Sequence, residues 1–154
     1  MKIGITCSTF DLLHPGHILM LKESKQHCNY LICALQVDPT IDRPTKNKPT
    51  QSVVERYTQL KAVKYVDEII PYVTELELEE IFLSYQIDVR IIGSDYIGKH
   101  FTAKEICSER GIDIIYNKRD HDYSTTELRN RIWNIENAKY EAASQFPEEQ
   151  EERE

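Results

Sequence analysis

Residues 8–17 read STFDLLHPGH. The short β-rich run KIGITC (2–7) ends just before them, and a helical pattern starts just after. Pro15 suits the first turn of a helix, where its missing N–H is not needed. Residues three apart on a helix share a face. His14 and His17 are therefore expected to point the same way, beside free backbone N–H groups and the positive end of the helix dipole. That arrangement suits a phosphate rather than a cation. Imidazoles there donate hydrogen bonds to phosphate oxygens and stabilise charge that grows in a transition state. No third ligand follows at a metal-binding spacing, so no metal held by the protein is predicted. Asp11 is expected to tie the loop together.

Working outward, YLICALQV (30–37) is apolar on both faces, as a buried parallel strand should be. DEIIPY (67–72), with Pro71 ending it, DVRIIGSD (88–95) and GIDIIYN (111–117) complete five strands. Helical patterns fall between them. One covers 17–28; the others carry Val53, Tyr57 and Leu60, then Leu78, Ile81, Phe82 and Tyr85, then Ala103, Ile106 and Cys107. A last helix starts near Thr125 with Leu128, Ile132, Ile135 and Ala142 on one stripe. This alternation predicts an α/β fold: a Rossmann-like, open, five-stranded parallel sheet with helices on both faces and right-handed crossovers. Ligands of such sheets sit beyond the strands' C-terminal ends, at the switch point of strand order. The polar clusters at 8–17, 38–48, 93–98 and 118–126 all follow strand ends, so they are expected to converge on one crevice.

A chain of 154 residues fits one domain, expected over 1–144, with 145–154 an acidic, flexible tail. No apolar run is long enough to span a membrane, and MKIGITCSTF lacks the core of a signal peptide. The cytoplasm is the expected compartment. Cys7, Cys28, Cys33 and Cys107 form no C-x-x-C pair and read as reduced, mostly buried thiols. The net charge of −7 argues against a nucleic-acid binder. Much of that acidity is local, in FPEEQEERE and TELELEE, while Arg43, Lys46, Lys48, Arg56, Lys61 and Lys64 leave the middle able to hold a small polyanion.

STFDLLHPGH resembles the signature of the cytidylyltransferase-like nucleotidyltransferases, G-T-F-D followed by H-x-G-H. KYVDEIIP (64–71), IDVRIIGSDYIGK (87–99) and YSTTELRNRI (123–132) lie where that family has related segments. Within the superfamily, the chain is most similar to the small glycerol-3-phosphate cytidylyltransferases. The resemblance implies the nucleotidylyl transferase fold, a homodimer, and Mg²⁺ entering with CTP. It also implies transfer of CMP from CTP to the phosphate of a small acceptor, with release of pyrophosphate. The acceptor phosphate is already a nucleophile, so the enzyme mainly positions two anions and neutralises the charge between them. His14 and His17 would then bind CTP phosphates and stabilise the transition state, with Thr9, Phe10 and Gly16 holding phosphates beside them. Ser8 replaces the family's glycine, and a serine fits there with a negative φ.

Further roles follow from the same resemblance. Lys46 and Lys48, in RPTKNKPT (43–50), match a basic loop that holds the triphosphate and the acceptor phosphate. Arg56 and Lys64 stand where the family has arginines and are expected, with Lys46, to bind the acceptor. Gly93 would let the nucleoside rest on the backbone, and Asp95 would bond the base, the ribose or a Mg²⁺ water. Arg119 matches a phosphate-contacting arginine. Ser124 with Glu127 is a capping box, and Ser124 and Thr125 sit where the family meets the triphosphate. His121, in the altered stretch DHDY (120–123), is an extra candidate. Glycerol-3-phosphate leads as acceptor, although VTELELEE lacks the Trp and Lys that those enzymes carry after the third strand. Its four glutamates within 75–80 keep phosphoethanolamine and phosphocholine as alternatives. An ATP-dependent adenylyltransferase and a non-catalytic nucleotide-binding module are the remaining readings.

Overall fold

A computed structural model describes residues 1–145; 146–154, nearly all of the expected tail, lie outside the described residues. In chain order these are β1 (Ile3–Ser8), α1 (Pro15–Gln26), β2 (Tyr30–Gln36), α2 (Val53–Lys61), β3 (Glu68–Tyr72) and α3 (Glu75–Ser84). Then come β4 (Val89–Gly93), a one-turn 3-10 helix (Ser94–Tyr96), α4 (Lys104–Glu109), β5 (Asp113–Asn117) and α5 (Thr125–Gln145). All strand pairs are parallel, in the order β3-β2-β1-β4-β5. The order reverses between β1 and β4, which is the switch point.

Alternation along β2 explains the two cores. Leu31, Cys33 and Leu35 face one side, where they join Leu21 of α1, Leu60 of α2, and Val89 and Ile91. Ile32 and Ala34 face the other, with Leu78, Ile81 and Phe82 of α3 and Cys107 of α4. A central strand buried on both faces needs apolar residues at every position, and YLICALQ supplies them. The four cysteines are free thiols; Cys33 and Cys107 are buried, and Cys7 and Cys28 half-buried.

Two details differ from the sequence reading. Pro71 does not end β3; it pairs opposite Leu35, and Tyr72 continues opposite Gln36. This is tolerated because β3 is an edge strand, where one face of the backbone has no ladder to break. β4 stops at Gly93, and Ser94–Tyr96 curl into the 3-10 turn. Met1–Asp122 form one compact unit, and the described residues from Tyr123 on belong to a second. The described part of that second unit is essentially α5. No residue of α5 is buried, and Ile132, Trp133, Ile135 and Tyr140 are exposed.

The crevice has a built frame. β1 and β4 are in register only at Gly4–Val89 and Ile5–Arg90, although β1 runs on to Ser8 and β4 to Gly93. Their ends part above that point. Arg56, 2% exposed, ties the neighbouring segments together. Its Nε donates to the Gln51 carbonyl at 3.1 Å, Nη1 to those of Thr9 (2.9 Å) and Gln36 (2.6 Å), and Nη2 to that of Val37 (2.6 Å). Asp11 accepts the Thr50 and Gln51 N–H groups, each at 2.9 Å, which meets the structural expectation for it. Replacing Arg56 by Met removes a charged donor and strands these carbonyls. Chemical denaturation should show a loss of about 3 kcal/mol or more, and a loss under about 1 kcal/mol would contradict this role.

Candidate active site

α1 opens with two histidines doing what Ser or Thr and Glu do in an ordinary capping box. His14 is the N-cap, with extended backbone (φ −135°, ψ 171°), and its Nδ1 accepts the Gly16 N–H at 3.1 Å. His17, at the third helical position, turns back so that its Nδ1 accepts the His14 N–H at 3.2 Å. The N–H groups of His17 and Ile18 bond the His14 carbonyl at 3.0 and 3.3 Å. The expectation of free N-terminal N–H groups is thereby corrected: the first turn satisfies them itself. Because both Nδ1 atoms accept, Nε2 is the nitrogen that each ring has left to donate from. The rings lie 3.9 Å apart, centroid to centroid. The helix end thus presents two imidazole donors rather than bare backbone.

His17 is held neutral. Burial pushes its pKa from the ordinary 6.5 down to about 3, His14 and then Arg119 add to the drop, and the Asp11 carboxylate opposes it. Gly16 is needed for space. A methyl there would lie 2.8 Å from His14 Cε1 and 2.8 Å from His121 Cε1. His121 therefore packs over the first turn of α1, and its Cε1 and that of His14 are separated by at most twice that distance.

Across the switch point, the Asp95 carboxylate folds over Gly93, and Arg119 Nε lies 4.0 Å from the point a Gly93 Cβ would occupy. Gly93, Asp95, Arg119 and His17 thus gather at the parted ends of β1 and β4. The surface of Gly93 expected to receive the nucleoside is covered by Asp95 in this structure. In the β1–α1 loop, Phe10 and Leu12 both take left-handed backbone (φ 49°). Such strain costs about 1–3 kcal/mol per residue. It is held by complete burial of Phe10, 5.9 Å from the His17 ring, and by a 2.9 Å bond from the Leu12 N–H to Gln51 Oε1. Ser8 is not left-handed, so serine fits where the family has glycine; its Oγ accepts the Phe10 N–H at 3.4 Å. The Thr9 carbonyl is engaged by Arg56.

Lys46 and Lys48 lie exposed on the β2–α2 loop, at the crevice end of the sheet. Two expected acceptor ligands do not join them. Arg56 is buried and bonded to four carbonyls, so its guanidinium is a fastener. Lys64 lies in the α2–β3 turn, over the Tyr65 ring at 5.3 Å. In a parallel sheet the turn leading into a strand is at the N-terminal edge, opposite the crevice. Ser124 caps α5 as expected, its Oγ accepting the Glu127 N–H at 3.0 Å; it and Thr125 belong to the second unit. Gln51 was not singled out by sequence, and Glu75 only as one of the four glutamates within 75–80. Gln51 reads as a plain loop residue and Glu75 as the first residue of a capped helix. No cluster of three His, Cys, Asp or Glu able to hold a metal occurs among the described residues.

Two outcomes follow. Gly16→Ala should displace both imidazoles, seen as shifts of the His14 and His121 ring resonances; unmoved resonances would contradict the packing. At His17, the unfolded chain takes up a proton near pH 6.5, whereas the folded chain refuses it until about pH 3. Its contribution to stability is therefore present above pH 6.5 and is lost as pH falls toward 3. His17→Asn should flatten the decline of Tm across that window.

The sequence profile of the Cytidylyltransferase-like family matches residues 5–131. The chain is 34% identical over 132 residues to the glycerol-3-phosphate cytidylyltransferase of Bacillus subtilis (strain 168), covering 86% of this chain and 98% of that one. It is 32% identical over 133 residues to the enzyme of that name from Staphylococcus aureus (strain NCTC 8325 / PS 47), covering 86% and 96%. Among solved structures, it is similar to a lipopolysaccharide core biosynthesis protein from Thermoplasma volcanium GSS1. There the TM-score is 0.61 at 27% identity, covering 80% of this chain and 99% of that one. The parted strands and the histidine-capped helix thus belong to a nucleotidyltransferase enzyme, and the chain is a member of the cytidylyltransferase-like family.

Proposed function

We propose that the protein transfers CMP from CTP to a small phosphorylated acceptor, glycerol-3-phosphate foremost. The observation that carries this is the histidine pair: two rings 3.9 Å apart, each accepting a backbone N–H on Nδ1 and so left with Nε2 to donate. An oxygen of the acceptor phosphate attacks the α-phosphorus of CTP. The bond from that phosphorus to the bridging oxygen breaks, and pyrophosphate leaves with the electron pair. No proton need be removed from the nucleophile. His14 and His17 donate to the α-phosphate as charge builds there, while Lys46, Lys48 and Arg119 neutralise the triphosphate and the incoming anion. The Thr9–Phe10 backbone and Gly16 line the phosphate path, and Gly93 with Asp95 meets the nucleoside. Mg²⁺ bound to the triphosphate would supply further charge neutralisation there, and Asp95 would hold one of its waters; such a metal needs few protein ligands.

The acceptor preference has support in the glutamates. Glu77 turns back on its own helix start, accepting the Val73 and Thr74 N–H groups at 2.5 and 3.4 Å, and Glu75 pairs with Arg43 at 2.9 Å. Carboxylates engaged in this way offer little to an ammonium group, so a plain phosphate is favoured over a zwitterion.

Pyrophosphate release should be measured with CTP or ATP against glycerol-3-phosphate, phosphoethanolamine and phosphocholine. CTP with glycerol-3-phosphate should give the highest kcat/KM. His14→Ala and His17→Ala should each lower kcat by at least about 100-fold, the scale for losing a transition-state donor, with CTP affinity changed much less. Faster turnover with ATP would replace the nucleotide in this reading. Retained kcat with only a raised KM would remove the histidines from the chemical step.

A further inference from the structure

With the Arg56 guanidinium engaged by backbone carbonyls and Lys64 at the opposite edge of the sheet, the loop that bears Lys46 and Lys48 matters more, and it is fastened at both ends. Its C-terminal end is held by Asp11 through the Thr50 and Gln51 N–H groups. Its N-terminal end docks on one residue of α3. Arg43 Nη2 donates to Glu75 Oε1 at 2.9 Å, and Asp42 Oδ2 accepts the Glu75 N–H at 2.5 Å. Glu75 is itself held by the fold. Gln36 Nε2 donates to Oε1 at 3.2 Å and Thr102 Oγ1 to Oε2 at 2.5 Å. The Thr102 carbonyl in turn accepts from Arg90, whose guanidinium stacks 4.8 Å from both the Phe82 and Phe101 rings.

The asymmetry of this network gives it a function. Gln36 and Arg90 are buried, whereas the Arg43 side chain is 44% exposed and the Glu75 side chain 24%. If Arg43 leaves, Glu75 keeps its bonds to Gln36 and Thr102. The carboxylate is therefore a fixed post, and Arg43 is the releasable arm of the loop. An isolated exposed ion pair contributes little, but here two consecutive loop residues bond the same residue, one to its side chain and one to its backbone.

We propose that Glu75 is a positioning residue: through Arg43 and Asp42 it docks the 42–48 segment on α3 and so sets where Lys46 and Lys48 stand during nucleotidyl transfer. The catalytic half of this statement rests on the function proposed above; the docking half does not. Limited trypsin digestion reads the docking directly. Arg43 and Lys48 each precede a proline, which blocks cleavage, so Lys46–Asn47 is the one susceptible bond in this segment.

Arg43→Gln and Glu75→Ala should raise the rate of cleavage at Lys46–Asn47 at least about fivefold, as expected for loosening a local contact. Arg43→Lys, which keeps a charged donor opposite the Glu75 carboxylate, should stay near the original rate. In turnover, Arg43→Gln and Glu75→Ala should each lower kcat with little change in KM for CTP. Unchanged cleavage in Arg43→Gln, which leaves the Gln36 and Thr102 bonds intact even if Glu75→Ala fails to fold, would overturn the docking. Faster cleavage with an unchanged kcat would overturn the positioning role. A wild-type protein inert towards CTP with every acceptor would overturn the proposed function and the catalytic half, while cleavage still judges the docking.

Discussion

The guanidinium of Arg56 is the contact around which the crevice is organised. A parallel sheet leaves its strand ends as loops with unpaired carbonyls, and those loops must be both open to a ligand and fixed in place. Arg56 meets both needs from below. Its donors reach the Thr9 carbonyl after β1, the Gln36 and Val37 carbonyls at the end of β2, and the Gln51 carbonyl before α2. A lysine has no planar fork and cannot span these positions. The cost of burying the charge is offset only because polar oxygens surround it. With that anchor set, Asp11 and Gln51 connect the histidine-bearing loop to the loop that carries the lysines.

The histidines divide the electrostatic work with the cations. A charged imidazole would add to affinity for a triphosphate in every state, ground state included. A neutral ring with a fixed Nε2–H contributes most where negative charge grows. Burial and the neighbouring His14 keep His17 in that neutral form, while in the proposed reaction Lys46, Lys48 and Arg119 would supply the charge that a polyanion requires. Gly16 permits this packing by leaving room for two imidazole rings over one turn of helix.

Docking of the lysine-bearing loop on α3 follows the same logic of fixed post and releasable arm. Glu75 is bonded from the sheet side by Gln36 and Thr102, and from the loop side by Arg43 and Asp42. Glu77 bonds the backbone of its own helix start and Glu80 is exposed, so the density of glutamate in TELELEE says less about the crevice than its charge suggests.

Periodicity and local chemistry made much of this protein readable from its residues. Five apolar runs alternating with helical patterns determine a parallel sheet covered on both faces. Pro15 at a helix start, with histidines three apart, determines where α1 begins and which face the imidazoles share. These properties depend on residues within a turn or a strand of one another. Long-range partners are another matter. Nothing local distinguishes Arg56, a buried fastener, from Lys46, an exposed one, because the difference lies in carbonyls as many as 47 residues away. Lys64 looked like a crevice residue until the direction of β3 placed it at the opposite edge. Sequence thus determined the elements, their order and the chemistry of the helix terminus. The tertiary structure alone decided which charges meet the crevice, because burial and pairing are set by segments that the chain brings together only when the sheet has formed.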